Sequence, residues 1–359
     1  MFLTASNSVH YLMGRGLVSR ASVVDGDFLV LEAARRHRVL KVLRRNGPGY
    51  LVKQPSTTVG EKPVSLSREA TFLQMVGTRP AFWAYARCVP RLLDFDPGTA
   101  TLVTELVPDG ESVMEFHLRV GGYPIPVAAL LGQQLGACHA SALPILSDPA
   151  NLANYQPQLP WIFLQRRDQP FAEPSFGAAG KLLGTLLAAE PGLYERIALL
   201  AGEWRTDAIT HGDMKWENLV ITEHDGALSA KIVDWELANL GDAVWDTASI
   251  FAAYLSFWAW RSSQTLDADA KHLERTFAEV SSATSAFWRS YAAERRWDAA
   301  QASAELQRCM RFVAARLLLI VFESLFNVPQ LTAATTGSIA TVKAILSDPA
   351  VAAAQLVAA

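Results

Sequence analysis

Short apolar runs separated by turn-forming residues fill the first third of the chain. Residues 28–34 (FLVLEAA), 38–44 (RVLKVLR) and 49–54 (GYLVKQ) are rich in Val, Leu and Tyr. Arg35-Arg36-His37 separates the first two, and Asn46-Gly47-Pro48-Gly49 leads into the third. Such spacing predicts strands joined by hairpins. From Pro63 to Met75 (PVSLSREATFLQM) the period becomes helical, with Leu66, Ala70, Phe72 and Leu73 supplying an apolar face. Two more strands are expected at 89–96 and 101–107, split by the Asp96-Pro97-Gly98 turn, before the polar break at Pro108–Glu111.

Beyond that break the pattern changes. Residues 127–143, 251–260, 268–295, 299–326 and 338–346 are Ala- and Leu-rich and helical in character. Only 207–237 interrupts them, with the short strand-like pieces DAIT, NLVIT and AKIVDW. The expected architecture is α+β: a small β-rich lobe, residues 1–107, and a larger, mainly helical lobe, residues 108–359.

Composition narrows the class. At about 150 residues per domain, 359 residues make roughly two domains. The net charge of -3 and the absence of a long basic run exclude a nucleic-acid partner. Cys88, Cys138 and Cys309 show neither disulfide-framework nor zinc spacing, which suits a cytoplasmic protein. The opening MFLTASNSVHYLMGRGLV lacks the basic-then-apolar order of a signal peptide. The most apolar run, Phe312–Phe326, is broken by Arg316 and Glu323, so it reads as a buried helix and no membrane partner is expected.

The most informative stretch is Thr210-His211-Gly212-Asp213-Met214-Lys215-Trp216-Glu217-Asn218, followed sixteen residues later by Asp234-Trp235-Glu236. Each motif lies between strand-like segments. Phosphoryl transfer needs a carboxylate to orient and deprotonate the attacking hydroxyl, and oxygen ligands for a magnesium ion bridging the phosphates. Asp213 suits the first task; Asn218 and Asp234 suit the second. Lys215, two residues after the base, suits stabilisation of the moving phosphoryl group. His211 suits a packing role within the loop.

H-G-D-x-x-x-x-N followed by D-W-E resembles the catalytic and metal-binding loops of the aminoglycoside phosphotransferase and choline kinase-like family, and is similar in layout to protein kinases. The resemblance implies a bilobal protein-kinase-like fold, ATP and Mg2+ as cofactors, and a hydroxyl-bearing acceptor. It pairs Lys53 with Glu69, sixteen residues on, to hold the α- and β-phosphates. It places adenine on the hinge backbone at Glu105 and Val107. One departure stands out: Glu32-Ala-Ala-Arg-Arg-His-Arg38 replaces the usual glycine-rich loop. Arg35, Arg36 and Arg38 offer guanidinium groups to phosphate oxygens in its stead, the alternative being a solvated basic hairpin tip. Gly241-Asp242-Ala243-Val244-Trp245-Asp246 resembles the segment in which an aspartate, here Asp246, caps a helix and braces the catalytic loop.

The front segment, with SVHYLMGRGLV, VVDGDFLVLEA and RRHRVLKVLRRNGPGYLVKQ, resembles stand-alone kinases of class V lanthipeptide (RiPP) biosynthesis. That resemblance implies Ser or Thr of a precursor peptide as acceptor, with a partner lyase. A small-molecule kinase of aminoglycoside, choline or amino-sugar type is the alternative, and a nucleotide-binding pseudokinase scaffold the third. Nine Asp and Glu against ten Lys and Arg in residues 251–359 argue against a trap for polycations.

Overall fold

The front runs do pair through their hairpins. The computed structural model describes residues 2–34, 37–56, 64–165, 177–265, 269–325 and 330–358. Its strands are β1 (Phe28–Ala34), β2 (His37–Arg44), β3 (Tyr50–Pro55), β4 (Leu92–Asp96), β5 (Thr101–Glu105), β6 (Glu111–Ser112), β7 (Ala208–Thr210), β8 (Leu219–His224), β9 (Ala227–Ile232) and β10 (Asn239–Gly241). The first five form one antiparallel sheet in the order β1-β2-β3-β5-β4. β5 stops at Glu105, two residues short of the sequence expectation. The Leu106 amide donates to the Gly49 carbonyl at 3.0 Å, and Gly110 donates to Val107 at 3.4 Å, so the chain turns there.

Strand alternation decides what this sheet presents. Leu40, Val42, Tyr50, Val52 and Val103 bury one face against Leu3, Leu12 and Val18 of the front segment. The opposite face is covered by helix Val64–Thr78, where Leu66 and Ala70 pack on Leu102. Leu102 is the cross-strand partner of Lys53. The alternation that buries Val52 on the first face therefore turns Lys53 toward the helix.

Contacts divide the chain into two units: Met1–Phe116 with Asp148–Asn154 and Glu217–Ala238, and His117–Ser147 with Tyr155–Trp216 and Asn239–Ala359. The sequence offers one boundary near residue 107, whereas this division is discontinuous. The reason is pairing: β8 and β9 form a hairpin, and β8 also pairs with β6 across Glu111↔Ile221, which fixes 217–238 in the first unit.

The second unit is mainly helical. Its long helices are Ile125–Ala140, Ala243–Gln264, Ala270–Glu294, Ala299–Ser324 and Ala333–Ser347. Among the described residues no single helix is long and apolar enough to cross a membrane. Helices 125–140 and 270–294 approach closely because Gly132 and Gly136, one turn apart, face the partner backbone. A Cβ on Gly136 would lie 2.9 Å from the Tyr291 carbonyl oxygen, and one on Gly132 closer still to that of Phe287. Ala is the better helix former by about 1 kcal/mol, yet overpacking costs about 1–3 kcal/mol. Gly132→Ala is therefore expected to lower the urea midpoint; a raised midpoint would show that the helices separate without cost.

Candidate functional site

The first unit carries one charged cluster. β3 presents Lys53, and helix Val64–Thr78 presents Glu69, which is 2% exposed. The Lys53 ammonium donates to both Glu69 carboxylate oxygens at 2.9 Å and to Asp234 Oδ1 at 2.6 Å. Burial works against the charge on Lys53, but Glu69 and Asp234 outweigh it and hold the ammonium above the usual lysine range.

Asp234 reaches Lys53 because of how β9 ends. Leu219 pairs with Ile232, and the Val233 amide donates to the Asn218 carbonyl at 2.9 Å, which sets Asn218 beside the exit of β9. Asp234 then adopts a left-handed conformation, φ 70° and ψ 53°. A non-glycine residue holds this region only where its surroundings impose it. Trp235 anchors the residue that follows: its ring stacks on Phe72 with centroids 4.1 Å apart, and its Nε1 donates to the Ile232 carbonyl at 2.9 Å. Phe72 sits three residues after Glu69 on the same helix face. One stack thus fixes Asp234 to the helix that fixes Lys53. Glu236 is bonded to His37 Nε2 at 2.7 Å.

The second unit carries a charged cluster around the motif that follows β7. β7 leads into His211-Gly212-Asp213. Gly212 has φ +81°, a turn that suits glycine. Asp246 accepts the His211 amide at 2.7 Å and the Gly212 amide at 3.0 Å. The helix cap itself is Asp242, which accepts from the Val244 amide at 3.0 Å, so capping and bracing fall to different aspartates. His211 is fully buried, and its Nδ1 accepts the Asp213 amide at 3.2 Å.

The Asp213 carboxylate lies between two cations. Lys215 Nζ donates at 2.5 Å and Arg316 Nη2 at 3.1 Å. Burial alone would raise the Asp213 carboxyl, but Arg316 and Lys215 outweigh it and hold the group below the usual carboxylate range. Arg316 is 2% exposed, on the apolar helix Ala299–Ser324. Sequence reasoning missed this residue. The signal was there: it is one of two charges interrupting the most apolar run of the chain.

Arg35 and Arg36 lie outside the described residues. Arg38 is engaged locally, with its guanidinium 4.2 Å from the Phe2 ring and 3.5 Å from Glu32. Glu105 closes β5 opposite Tyr50, and Val107 begins the turn closed by Gly110. Asn218, 2% exposed, and Asp234 offer hard oxygen donors. Among the described residues no three His, Cys, Asp or Glu side chains converge to cage a metal. Two oxygen donors fit an ion of magnesium type, which keeps waters and phosphate oxygens as its remaining ligands.

A family model described as a phosphotransferase enzyme family matches residues 30–282. No curated protein matches this sequence. Among solved structures, ethanolamine kinase from Plasmodium vivax superposes with a TM-score of 0.58 at 14% identity, covering 94% of this chain and 87% of that one. An amicoumacin kinase in complex with AMP-PNP and Ca2+ gives 0.54 at 15%, covering 94% and 95%. A glucosamine kinase in complex with glucosamine, ADP and inorganic phosphate gives 0.57 at 15%, covering 97% and 86%.

Proposed function

The chain belongs to the phosphotransferase enzyme family and is an ATP-dependent kinase of α+β, protein-kinase-like fold, and from that premise we propose that it phosphorylates a hydroxyl of a small molecule with Mg2+ as its metal. The observation that carries this reading is the double engagement of Lys53 by Glu69 and Asp234. A cation held at a fixed point by two carboxylates, Glu69 and Asp234, is what a triphosphate requires.

In this reading Lys53, oriented by Glu69, binds the α- and β-phosphates. The backbone at Glu105 and Val107 receives adenine, and Arg35, Arg36 and Arg38 are proposed to bind phosphate oxygens. Asn218 and Asp234 would hold a magnesium ion, which would neutralise charge developing on the phosphates. Asp213 accepts the hydroxyl proton as the acceptor oxygen bonds to the γ-phosphorus and the bond to the ADP oxygen breaks. Lys215 stabilises the phosphoryl group in transit. The low proton affinity of Asp213 keeps it an acceptor-only group that orients the hydroxyl, so positioning and electrostatics supply most of the rate.

The small-molecule acceptor is preferred to Ser or Thr of a precursor peptide because the structural neighbours are named for ethanolamine, amicoumacin and glucosamine. The near-balanced charge of residues 251–359 favours a mono- or zwitterionic acceptor over a polycation. The peptide reading, with its partner lyase, keeps one observation of its own: Lys215 stands where Ser/Thr protein kinases carry lysine. The deciding assay offers ATP and Mg2+ with ethanolamine, choline, glucosamine, an aminoglycoside and a Ser/Thr-rich peptide, read by the mass of an added phosphate. Phosphate on one of the small molecules is expected. Phosphate on the peptide alone would overturn the acceptor assignment. Tight nucleotide binding with no transfer to any of the five would favour the scaffold.

A further inference from the structure

The second unit holds a cavity of about 210 Å³ that the reading above does not use. It opens between the C-terminal end of helix Ala243–Gln264, which supplies Arg261 and Ser262, and the first turns of helix Ala270–Glu294, which supply His272, Arg275 and Glu279; Tyr123 completes it. Arg261 lies fifteen residues beyond Asp246, the residue that braces the catalytic loop, or about 22 Å along the helix at ~1.5 Å per residue. The cavity and the brace thus occupy opposite ends of one helix.

Its lining is rich in donors. The Arg261 guanidinium is held 5.9 Å from the ring centroids of both Tyr123 and Phe257, which orients it without neutralising it. Arg275 is exposed, with Nη2 3.3 Å from His272 Nδ1. Among the described residues neither arginine has a carboxylate within ion-pair distance. Tyr123 is only 7% exposed, yet among the described residues its hydroxyl has no hydrogen-bond partner. Burial pushes that hydroxyl up, with Arg261 only partly opposing it, so it stays protonated and is a donor. A buried hydroxyl without a partner costs about 1–3 kcal/mol. A ligand that accepts from it removes the cost.

Two guanidinium groups with no carboxylate at ion-pair distance among the described residues, an imidazole and a buried O–H line this one cavity, a donor set that matches the oxygens of a phosphate. The volume, below the ~300 Å³ at which drug-sized sites begin, limits the ligand to a small one. We propose that this cavity is a second binding site, for the phosphate group of a small phosphomonoester, received by Arg261, Arg275, His272 and the Tyr123 hydroxyl. Glu279, the one carboxylate in the lining, accepts a hydroxyl of the same ligand.

This inference does not rest on the catalytic assignment, because it is read by binding. Inorganic phosphate, glycerol phosphate and acetate are titrated calorimetrically into the full chain, into Arg275→Gln, Arg261→Gln and Tyr123→Phe, with AMP-PNP binding as the check that each variant is folded. Arg275 is exposed, so its variant tests the site without touching the core. Saturable one-site binding of both phosphates is expected, weakened about tenfold by either arginine change, which is the scale of one charge-assisted bond. Tyr123→Phe is expected to weaken it severalfold, and AMP-PNP affinity to stay unchanged in all three. Phosphate affinity equal in wild type and both arginine variants, or no saturable phosphate binding by wild type, would overturn the site. Acetate binding as tightly as phosphate would overturn the ligand class.

Discussion

Asp213→Ala is expected to lower kcat by roughly two to four orders of magnitude, the usual contribution of a positioned base, while AMP-PNP binds as in wild type. The split follows from where the residue sits. Asp213 touches Lys215 and Arg316 and belongs to the helical unit, whereas Lys53, Glu69, Asn218 and Asp234 all belong to the other unit. Removing it deletes the proton acceptor without disturbing the group of residues assigned to the nucleotide. It also leaves the buried Arg316, among the described residues, with Glu323 at 3.7 Å as its remaining carboxylate partner, so some stability is lost too. Asp213→Asn keeps the shape and separates the two effects: it should regain stability but not turnover. Because Arg316 and Lys215 hold the carboxyl below its usual range despite burial, the acid limb of the kcat/KM profile should lie below that of an ordinary carboxylate. The sign is that of a depressed carboxyl: the ionised form, and the ion-pair stability it brings, persist at higher pH and are lost as pH falls through the folded-state value. Near-wild-type turnover in both variants would remove Asp213 from the chemistry.

Asp234→Asn should act on binding and turnover together. Its carboxylate accepts from Lys53 at 2.6 Å and, in the proposed reading, would also bind the metal. Asn is the suitable replacement because it tolerates the left-handed backbone that Asp234 adopts, whereas Ala adds strain of about 1–2 kcal/mol. The Phe72–Trp235 stack and the Lys53–Glu69 pair remain, so the fold should hold. Loss of one charged metal ligand is expected to weaken metal-dependent AMP-PNP binding by at least about 10–100-fold, with transfer falling further because charge neutralisation is lost in the transition state. Calorimetry with and without Mg2+ reads the first effect, and a coupled ADP assay the second. AMP-PNP affinity with an unchanged Mg2+ dependence would show that Asp234 is not the ligand.

Much of the chain was legible as local pattern. The strands β1 to β3 follow from apolar runs and the Asn46-Gly47 turn. Helix 64–78 follows from its apolar spacing, and the two loop motifs from the residue types phosphoryl transfer needs. The neighbourhood of Lys53 was open to inference because strand alternation and a helix about four turns long act over short sequence distances.

Other features depended on residues far apart in the chain. Nothing in 299–326 announces that Arg316 bonds Asp213, because 103 residues separate them and only helix packing brings them together. The assignment of the β8–β9 hairpin to the first unit rests on two rungs with β6 and on a Phe72–Trp235 stack, neither visible to a window of a dozen residues. The division of roles between Asp242 and Asp246 is of the same kind: both are acidic and near a helix start, and only the positions of the loop amides distinguish the cap from the brace. By itself the sequence determined which groups are available, since residue type sets charge, donors and local conformation. The tertiary structure decided which of them meet and which charge survives burial, since both depend on distance and on exclusion of water.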